Sequence, residues 1–166
     1  FYLLKELAKI KMNLKEQSKF YNLNIKETNL LPTEVLKNDN YFGNLYITSM
    51  PQLKTGDIVV DENYVLIGKI KEINNYYAIV EKISRPGNLF NVENFDGEFI
   101  GVGESLTNGF IEIKIIKEKL RDLNNKYIFT AGGDDVYPRG FLIGEIKKFF
   151  GFPVFSFMII IEKDIF

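Results

Sequence analysis

A short pattern occurs twice in this chain and limits its fold more than any other feature. Gly56-Asp57 precedes Leu66-Ile-Gly-Lys-Ile70, and Gly133-Asp134 precedes Leu142-Ile-Gly-Glu-Ile146. In each copy a Gly-Asp turn leads, after eight or nine residues, into an apolar strand with glycine at its centre. Neither copy carries a side chain suited to catalysis. The repeat therefore predicts two related β-lobes and favours a scaffold over an enzyme.

Glycines dominate the repeat and its surroundings. Gly68 and Gly144 lie in the middle of apolar strands, where glycine is typical of a bulge or a tight bend at a barrel corner. We expect these positions to specify the fold and not to form a site. The full set of fold-specifying positions is Gly56, Asp57, Gly68, Gly132, Gly133, Pro138, Gly140 and Gly144.

The composition excludes several kinds of chemistry. The 166 residues contain no histidine, which removes imidazole bases and histidine metal sites. They contain no cysteine, which removes thiol catalysis, disulfides and thiolate zinc sites. The net charge of -1 argues against a dedicated nucleic-acid binder, because such a protein needs a basic field to neutralise phosphates. We expect no cofactor, no bound metal and no catalytic residue.

Two groups remain as candidates for chemistry. Asp134 and Asp135 are the nearest approach to a paired carboxylate site, although adjacent residues after Gly-Gly are more typical of a turn. Ser105 lies in a glycine-rich stretch, Gly101 to Gly109, that ends in a strand where a phosphate loop would begin a helix, so a hairpin connection is favoured. A small β-barrel hydrolase using Ser105 or the Asp134/Asp135 pair is the alternative to a scaffold.

The first 31 residues differ from the rest of the chain. They lack glycine and proline and are rich in Lys, Glu and Leu, which favours helix. Their apolar residues recur at alternating spacings of three and four, as in a coiled coil, and the alternative is an amphipathic helix packing on its own domain. The expected dimer interface consists of Leu3, Leu7, Ile10, Leu14, Gln17 and Tyr21.

From Pro32 onward the pattern is that of short strands separated by turns, which is typical of a β-sandwich or a pair of barrels. Ile111, Ile113 and Ile115 alternate with Glu112 and Lys114, so this strand has one wet face. We expect a mainly β fold: a coiled-coil helix over 1–31, a first β-barrel-like lobe over 32–98, and a second over 99–166. A first lobe that also takes strands from the C-terminus is the alternative. Strands are predicted at 46–50, 57–60, 64–73, 77–83, 99–102, 110–116, 127–130, 141–149 and 154–162.

Adjacent aromatic pairs occur at Tyr76-Tyr77 and Phe149-Phe150. Because neighbouring strand residues face opposite ways, we expect one ring of each pair in a core and the other available to a partner. The chain has no apolar run of 18 residues, so no segment of it is expected to span a bilayer. It begins at Phe1 and not at methionine, which suggests a piece of a longer protein.

The order and spacing of these segments resemble the rod shape-determining MreC family of bacterial cell-shape proteins. The likeness lies in the heptad helix followed by Leu31-Pro-Thr-Glu-Val35, in Leu53-Lys-Thr-Gly-Asp-Ile-Val-Val60, and in Leu66-Ile-Gly-Lys-Ile70. It continues through Ile100-Gly-Val-Gly103 and Gly109-Phe-Ile-Glu-Ile113. The most recognisable segment runs from Thr130-Ala-Gly through Tyr137-Pro-Arg-Gly140 to Ile143-Gly-Glu-Ile146.

The resemblance implies a non-enzymatic scaffold of the cell-elongation machinery, with a membrane anchor, a dimerising coiled coil and two β-lobes on the extracytoplasmic side. It implies a homodimer, a higher assembly being also open, and partners in peptidoglycan synthesis: the elongation transpeptidase, MreD and the actin-like MreB system. No nucleic acid is expected among the partners. A nucleic-acid-binding or oligosaccharide-binding barrel is a third reading, which the neutral charge balance disfavours.

Overall fold

The computed structural model describes the backbone of residues 30–61, 65–107, 109–115, 127–150 and 156–160. Side chains are described for 30–61, 65–107, 109–114 and 127–146. The chain divides into one unit at Phe1–Leu31 and another at Pro32–Phe166, and the elements below belong to the second. The predicted coiled-coil helix, with its six interface residues, lies outside the described residues.

The described part of the second unit is made of strands and contains no helix, which confirms the mainly β prediction. The strands are β1 Val35–Asp39, β2 Asn44–Thr48, β3 Ile58–Val60, β4 Leu66–Ile73, β5 Tyr77–Lys82, β6 Leu89–Glu93, β7 Phe99–Ser105, β8 Phe110–Ile115, β9 Tyr127–Thr130, β10 Leu142–Phe150 and β11 Ser156–Ile160.

The first five strands form an antiparallel sheet in the order β1-β2-β5-β4-β3. Side chains alternate along β2 and β5, so that one face of each strand is buried. An antiparallel sheet can cover one face in this way and leave the other to solvent. The resulting sheet core consists of Leu45, Ile47, Ile67, Ile70, Ala78 and Val80.

The remaining strands close into a barrel in the order β10-β11-β8-β7-β6-β9, with every neighbouring pair antiparallel. Closure removes both sheet edges, which would otherwise expose unpaired backbone groups. Ile111 and Ile113 are fully buried and the intervening Glu112 is not, as the alternation of β8 predicts. The barrel core consists of Leu66, Ile83, Phe90, Val92, Ile100, Ile111, Ile113, Ile128, Tyr137, Ile143 and Ile146.

Strand β4 contributes to both cores. Leu66 belongs to the barrel core, whereas the next residue, Ile67, belongs to the sheet core. Successive strand residues face opposite ways, so the two side chains reach different cores. A bulge also lies here: Val59 pairs with Gly68 and Val60 with Leu66, so Ile67 is the extra residue. A parallel bridge between Val65 and Leu142 also joins the start of β4 to β10.

The two copies of the sequence repeat agree in their strands and differ in their turns. In β10, Leu142 pairs with Phe129 and Gly144 with Ile128, so a bulge again lies at the isoleucine before the glycine. Of the two features predicted at Gly68 and Gly144, a bulge or a tight bend, the structure has a bulge beside each glycine. The Gly-Asp turns are not equivalent, because Gly56-Asp57 precedes the β3–β4 hairpin and Gly133-Asp134 lies inside the β9–β10 connection.

Strands β1 and β6 are absent from the sequence predictions, which was an error. Both are short and carry polar residues, Lys37, Asn38 and Asp39 in β1 and Asn91 and Glu93 in β6. Such sequences lack the run of β-branched and aromatic residues that indicates a strand. Their strand conformation comes from pairing with β2, β7 and β9.

Candidate interaction surface

Ser105, the candidate nucleophile, is part of the fold. Its side chain is 2% exposed, and its hydroxyl donates to the carbonyl oxygen of Ile83 at 2.5 Å. Its backbone N–H and C=O also bond to the connection between β5 and β6, at Asn88 and Gly87. A hydroxyl that is buried and already donating holds two segments together, and this geometry gives Ser105 a structural role.

The Asp134/Asp135 pair forms a turn and not a paired carboxylate site. One oxygen of Asp134 accepts from the backbone N–H of Asn91 at 2.6 Å, and the other accepts from Val136 N–H at 3.0 Å. Asp135 is exposed and has φ 57°, in the left-handed region that Asp tolerates in turns. The Asp134 carboxylate therefore fixes the loop against β6.

The loop over residues 131–140, between β9 and β10, is closed at its base by Thr130. The buried Thr130 hydroxyl donates to the Pro138 carbonyl at 2.6 Å and accepts from Phe141 N–H at 2.9 Å. Gly140 N–H donates to the Thr130 carbonyl at 2.8 Å. The most recognisable segment of the sequence is thus a loop closed on itself by main-chain and hydroxyl hydrogen bonds.

Two side chains of this loop connect it to the rest of the barrel. Tyr137 points into the barrel core, where its ring lies edge-on to Phe90, and burial raises the pKa of its hydroxyl well above the ordinary value. Arg139 lies outside and donates from Nε to the carboxylate of Glu93 at 2.8 Å. Burial raises the pKa of Glu93, and the Arg139 guanidinium partly opposes that shift.

The glycine-rich positions singled out in the sequence occupy two places. Gly68 pairs with Lys82 so closely that a Cβ there would lie 2.0 Å from the Glu81 carbonyl oxygen, so only glycine fits. Gly56 and Asp57 lie just before β3; Gly132, Gly133, Pro138 and Gly140 lie in the closed loop, and Gly144 lies in β10.

The surface feature that stands out is the turn of residues 40–43 between β1 and β2, which we call the aromatic turn. Tyr41 is 85% exposed and Phe42 is 61% exposed. Their rings contact each other edge to face, with centroids 4.9 Å apart and planes at 86°. Two adjacent exposed rings are a large apolar area for one turn, and such patches mark interaction sites.

The aromatic turn is held by a lysine of the neighbouring strand. The Nζ of Lys82 donates to the side-chain carbonyls of Asn38 and Asn40, each at 2.7 Å. Lys82 is buried, and burial lowers the pKa of its amine, opposed in part by the charge of Asp39. A buried ammonium that donates to Asn38 of β1 and to Asn40 of the turn fixes the point where the chain leaves β1.

The backbone of the turn is also constrained. The Asp39 carboxylate accepts from Phe42 N–H at 3.1 Å, and the Gly43 carbonyl accepts from Lys82 N–H at 2.9 Å. Gly43 packs against Arg85, whose guanidinium pairs with the Glu81 carboxylate. The rings therefore project from a fixed base.

Other exposed large hydrophobic side chains lie outside the aromatic turn. Tyr76 is 83% exposed in the β4–β5 turn, while the half-buried Tyr77 packs against Tyr46 at 5.5 Å. The expected exposed ring is therefore Tyr76, but its neighbour Tyr77 belongs to neither core, and the side chains of Phe149 and Phe150 lie outside the described ones. The others are Leu30, Leu31, Leu36, Leu89 and Phe99.

Neither Tyr41 nor Phe42 is among the sequence predictions. The signal for them is Asp39-Asn-Tyr-Phe-Gly43, which combines turn residues with two adjacent aromatics. Within the described residues no cluster of three or more Asp or Glu residues has the arrangement of a metal site. The same part of the chain contains no helix long and apolar enough to cross a membrane.

Comparison with known proteins links this fold to one family. A family model described as rod shape-determining protein MreC, barrel core, matches residues 37–155. That range spans β1 to β10, so it covers both the sheet and most of the barrel. No curated protein sequence matches this chain.

Solved structures show the same fold at low sequence identity. MreC from Pseudomonas aeruginosa has a TM-score of 0.65 and 17% identity, covering 80% of this chain and 91% of that one. MreC from Listeria monocytogenes has a TM-score of 0.61 and 21% identity, covering 94% and 84%. A chain of the complex between penicillin-binding protein (PBP2) and MreC from Helicobacter pylori has a TM-score of 0.53 and 13% identity, covering 78% and 84%.

Proposed function

This chain belongs to the rod shape-determining protein MreC family, and from that premise we propose that it is a non-enzymatic scaffold of the bacterial cell-elongation machinery. In this role it positions enzymes of peptidoglycan synthesis and so maintains cell shape. The observation that carries the proposal is the family match over residues 37–155, on a fold whose most distinctive residues all serve structure. The polar side-chain groups of Thr130, Asp134 and Ser105 form hydrogen bonds within the fold.

We propose a transpeptidase of the elongation machinery as a direct partner. Support comes from the solved complex of MreC with PBP2 from Helicobacter pylori. One chain of that complex shares the fold of this chain, with a TM-score of 0.53. The MreD protein and the MreB system are proposed as further partners on the family resemblance alone. We propose that the described region lies on the extracytoplasmic side of the cell membrane and that the protein is attached to that membrane by an anchor, as the family resemblance implies.

We also propose that the chain dimerises through its N-terminal segment. The heptad seam of Leu3, Leu7, Ile10, Leu14, Gln17 and Tyr21 supports this, because burying each Leu or Ile contributes roughly 1.5–3 kcal/mol. Leu14→Asp places a charge in the seam and is expected to convert the dimer to a monomer. Ala8→Asp adds the same charge one position after the seam residue Leu7, outside the seam, and serves as the matched control.

The oligomer test uses sedimentation of the purified chain at tens of micromolar. A wild-type dimer, split by Leu14→Asp and kept by Ala8→Asp, supports the seam. A wild-type monomer, or a dimer that Leu14→Asp leaves intact, contradicts it.

The scaffold role is tested in a rod-shaped bacterium whose own copy of the gene is depleted. We expect the wild-type gene to restore rod shape, and Ser105→Ala to restore it equally if the hydroxyl is structural and the variant folds. Purified wild type and Ser105→Ala are assayed for peptidase and esterase activity in parallel. Activity in the wild type that disappears in Ser105→Ala, while the fold is kept, would overturn the scaffold proposal in favour of a hydrolase.

A further inference from the structure

The aromatic turn has the properties of a docking element, and we propose that Tyr41 and Phe42 insert together into an apolar pocket of a partner protein. The inference rests on the proposed function, under which that partner is the transpeptidase. Neither ring belongs to the sheet core or to the barrel core. The two rings therefore stabilise neither core. They leave apolar surface exposed to water, and insertion into a partner pocket would bury that surface.

The geometry of the two rings suits deep insertion. Their planes meet at 86° with centroids 4.9 Å apart, so together they form a convex block and not a flat surface. Aromatic side chains that fill a desolvated pocket are the residues that most often dominate the energy of a protein interface. A convex pair of rings fits a concave apolar pocket.

The turn is also fixed before a partner arrives. The side-chain amides of Asn40 and of Asn38 in β1 accept from Lys82 Nζ at 2.7 Å, and the Asp39 carboxylate accepts from Phe42 N–H at 3.1 Å. Gly43 has no room for a side chain, because a Cβ there would lie 2.6 Å from the Cβ of Arg85. Docking of a fixed turn loses little conformational entropy, so more of the burial energy becomes affinity.

The charges around the turn favour a protein pocket over a lipid surface. Attachment to anionic lipid by this kind of element requires a cluster of available basic side chains. Beneath the aromatic turn, Lys82 is buried and donates to two asparagines, and Arg85 is paired with Glu81. These two cations are therefore already engaged within the fold.

The same geometry argues against a glycan. Carbohydrate rings stack on a flat aromatic face, and two rings at 86° cannot both present a face to one sugar plane. A protein pocket, which closes around the pair from several sides, is the occupant that uses both rings.

The test measures binding of the full chain to the purified extracytoplasmic part of the transpeptidase by biolayer interferometry. The double variant Tyr41→Ala/Phe42→Ala is expected to weaken binding about tenfold or more, since it removes a central aromatic anchor. Tyr76→Ala is the matched control, because Tyr76 is equally exposed in an asparagine turn of the same sheet. We expect that control to change the affinity less than twofold.

A second variant separates loss of the rings from loss of the fold. Tyr41→Phe/Phe42→Tyr exchanges the two side chains and keeps both rings, so it is expected to bind within a few-fold of wild type. Binding that survives Tyr41→Ala/Phe42→Ala, or that Tyr76→Ala weakens equally, overturns the docking proposal and leaves the proposed function standing. Failure of the wild type to bind the transpeptidase at all overturns both.

The two other surfaces are tested in parallel with vesicles of phosphatidylglycerol and with purified peptidoglycan sacculi. If Tyr41→Ala/Phe42→Ala abolishes association with either of them and leaves transpeptidase binding unchanged, the docking proposal is wrong. Unchanged vesicle and sacculus behaviour, together with weakened transpeptidase binding, supports it.

Discussion

Gly68 tests whether close packing of β4 on β5 limits the stability of this fold. By conformation alone, Gly68→Ala should be harmless, because glycine in a strand interior is less favourable than alanine by roughly 0.5–1 kcal/mol. The contacts predict the opposite. A Cβ at this position would lie 2.0 Å from the Glu81 carbonyl oxygen and 2.9 Å from the Cα of Lys82, whereas ordinary contact begins at 3.4 Å.

The atoms in the way are backbone, so the clash cannot be relieved by rotating a side chain. β5 must move away by more than an ångström near the pairs Gly68–Lys82 and Lys69–Glu81. We expect overpacking of about 1–3 kcal/mol together with weakening of two ladder hydrogen bonds at about 1 kcal/mol each. The free energy of unfolding should therefore fall by about 3–5 kcal/mol, which at about 2–4 °C per kcal/mol lowers Tm by about 6–20 °C.

The assay is urea unfolding of the purified chain followed by circular dichroism. Gly87→Ala is the control: its glycine has φ 85° and nothing within 4 Å of a Cβ, so only the left-handed backbone is penalised. That variant should lose about 1–2 kcal/mol. Gly68→Ala as stable as wild type, or more stable than Gly87→Ala, would refute the steric reasoning.

Three further substitutions test the polar contacts. Thr130→Val removes a buried hydroxyl with two backbone partners, and we expect urea unfolding to show a loss of stability of about 1–3 kcal/mol. Thr130→Ser keeps the hydroxyl and should lose much less. Arg139→Ala removes the cation beside buried Glu93; because Arg139 is 60% exposed, we expect only about 1–3 kcal/mol at pH 7. The pKa of Glu93 is raised, so that loss should shrink as the pH falls towards 4.5, where the unfolded carboxyl also takes up a proton; a loss independent of pH would contradict it. The pKa of Lys82 is lowered from 10.5, so the unfolded chain binds the proton more tightly than the folded chain. Wild type should therefore gain stability relative to Lys82→Met as the pH rises towards 10.5 in unfolding titrations. Parallel stability curves for the two proteins would rule this out.

The sequence predicts those parts of the fold in which apolar and polar residues alternate along a strand. The β8 strand is an example, since Ile111 and Ile113 face the barrel core and Glu112 and Lys114 do not. A strand places successive side chains on opposite faces, so alternating apolar and polar residues indicate a strand even when its neighbours in the sheet are unknown. The bulges near Gly68 and Gly144 are legible for a similar reason, because glycine weakens the interior of an apolar strand and is typical there of a bulge or a tight bend.

The parts that escape prediction depend on contacts between distant residues. Asn91 and Glu93 look like loop residues in the sequence, yet Asn91 bonds to Asp134, 43 positions away, and Glu93 bonds to Arg139, 46 positions away. In the sequence Asp134 looks like one half of a catalytic pair, whereas in the structure its carboxylate accepts from the backbone N–H of Asn91. The same holds for the aromatic turn, because Lys82 reaches it from 42 and 44 positions away.

The sharing of β4 between two cores has a consequence for synthesis on the ribosome. The sheet strands β1 to β5 emerge first, and Ile67 can then pack into the sheet core as soon as β5 is complete. Leu66 must wait, because its neighbours in the barrel core include Ile143 and Ile146 near the other end of the chain. A nascent chain stalled after β5 would therefore leave Leu66 without the barrel core that buries it, and exposed apolar surface of this kind promotes aggregation and is bound by chaperones. The final strands of the barrel complete the half of the molecule that was made first.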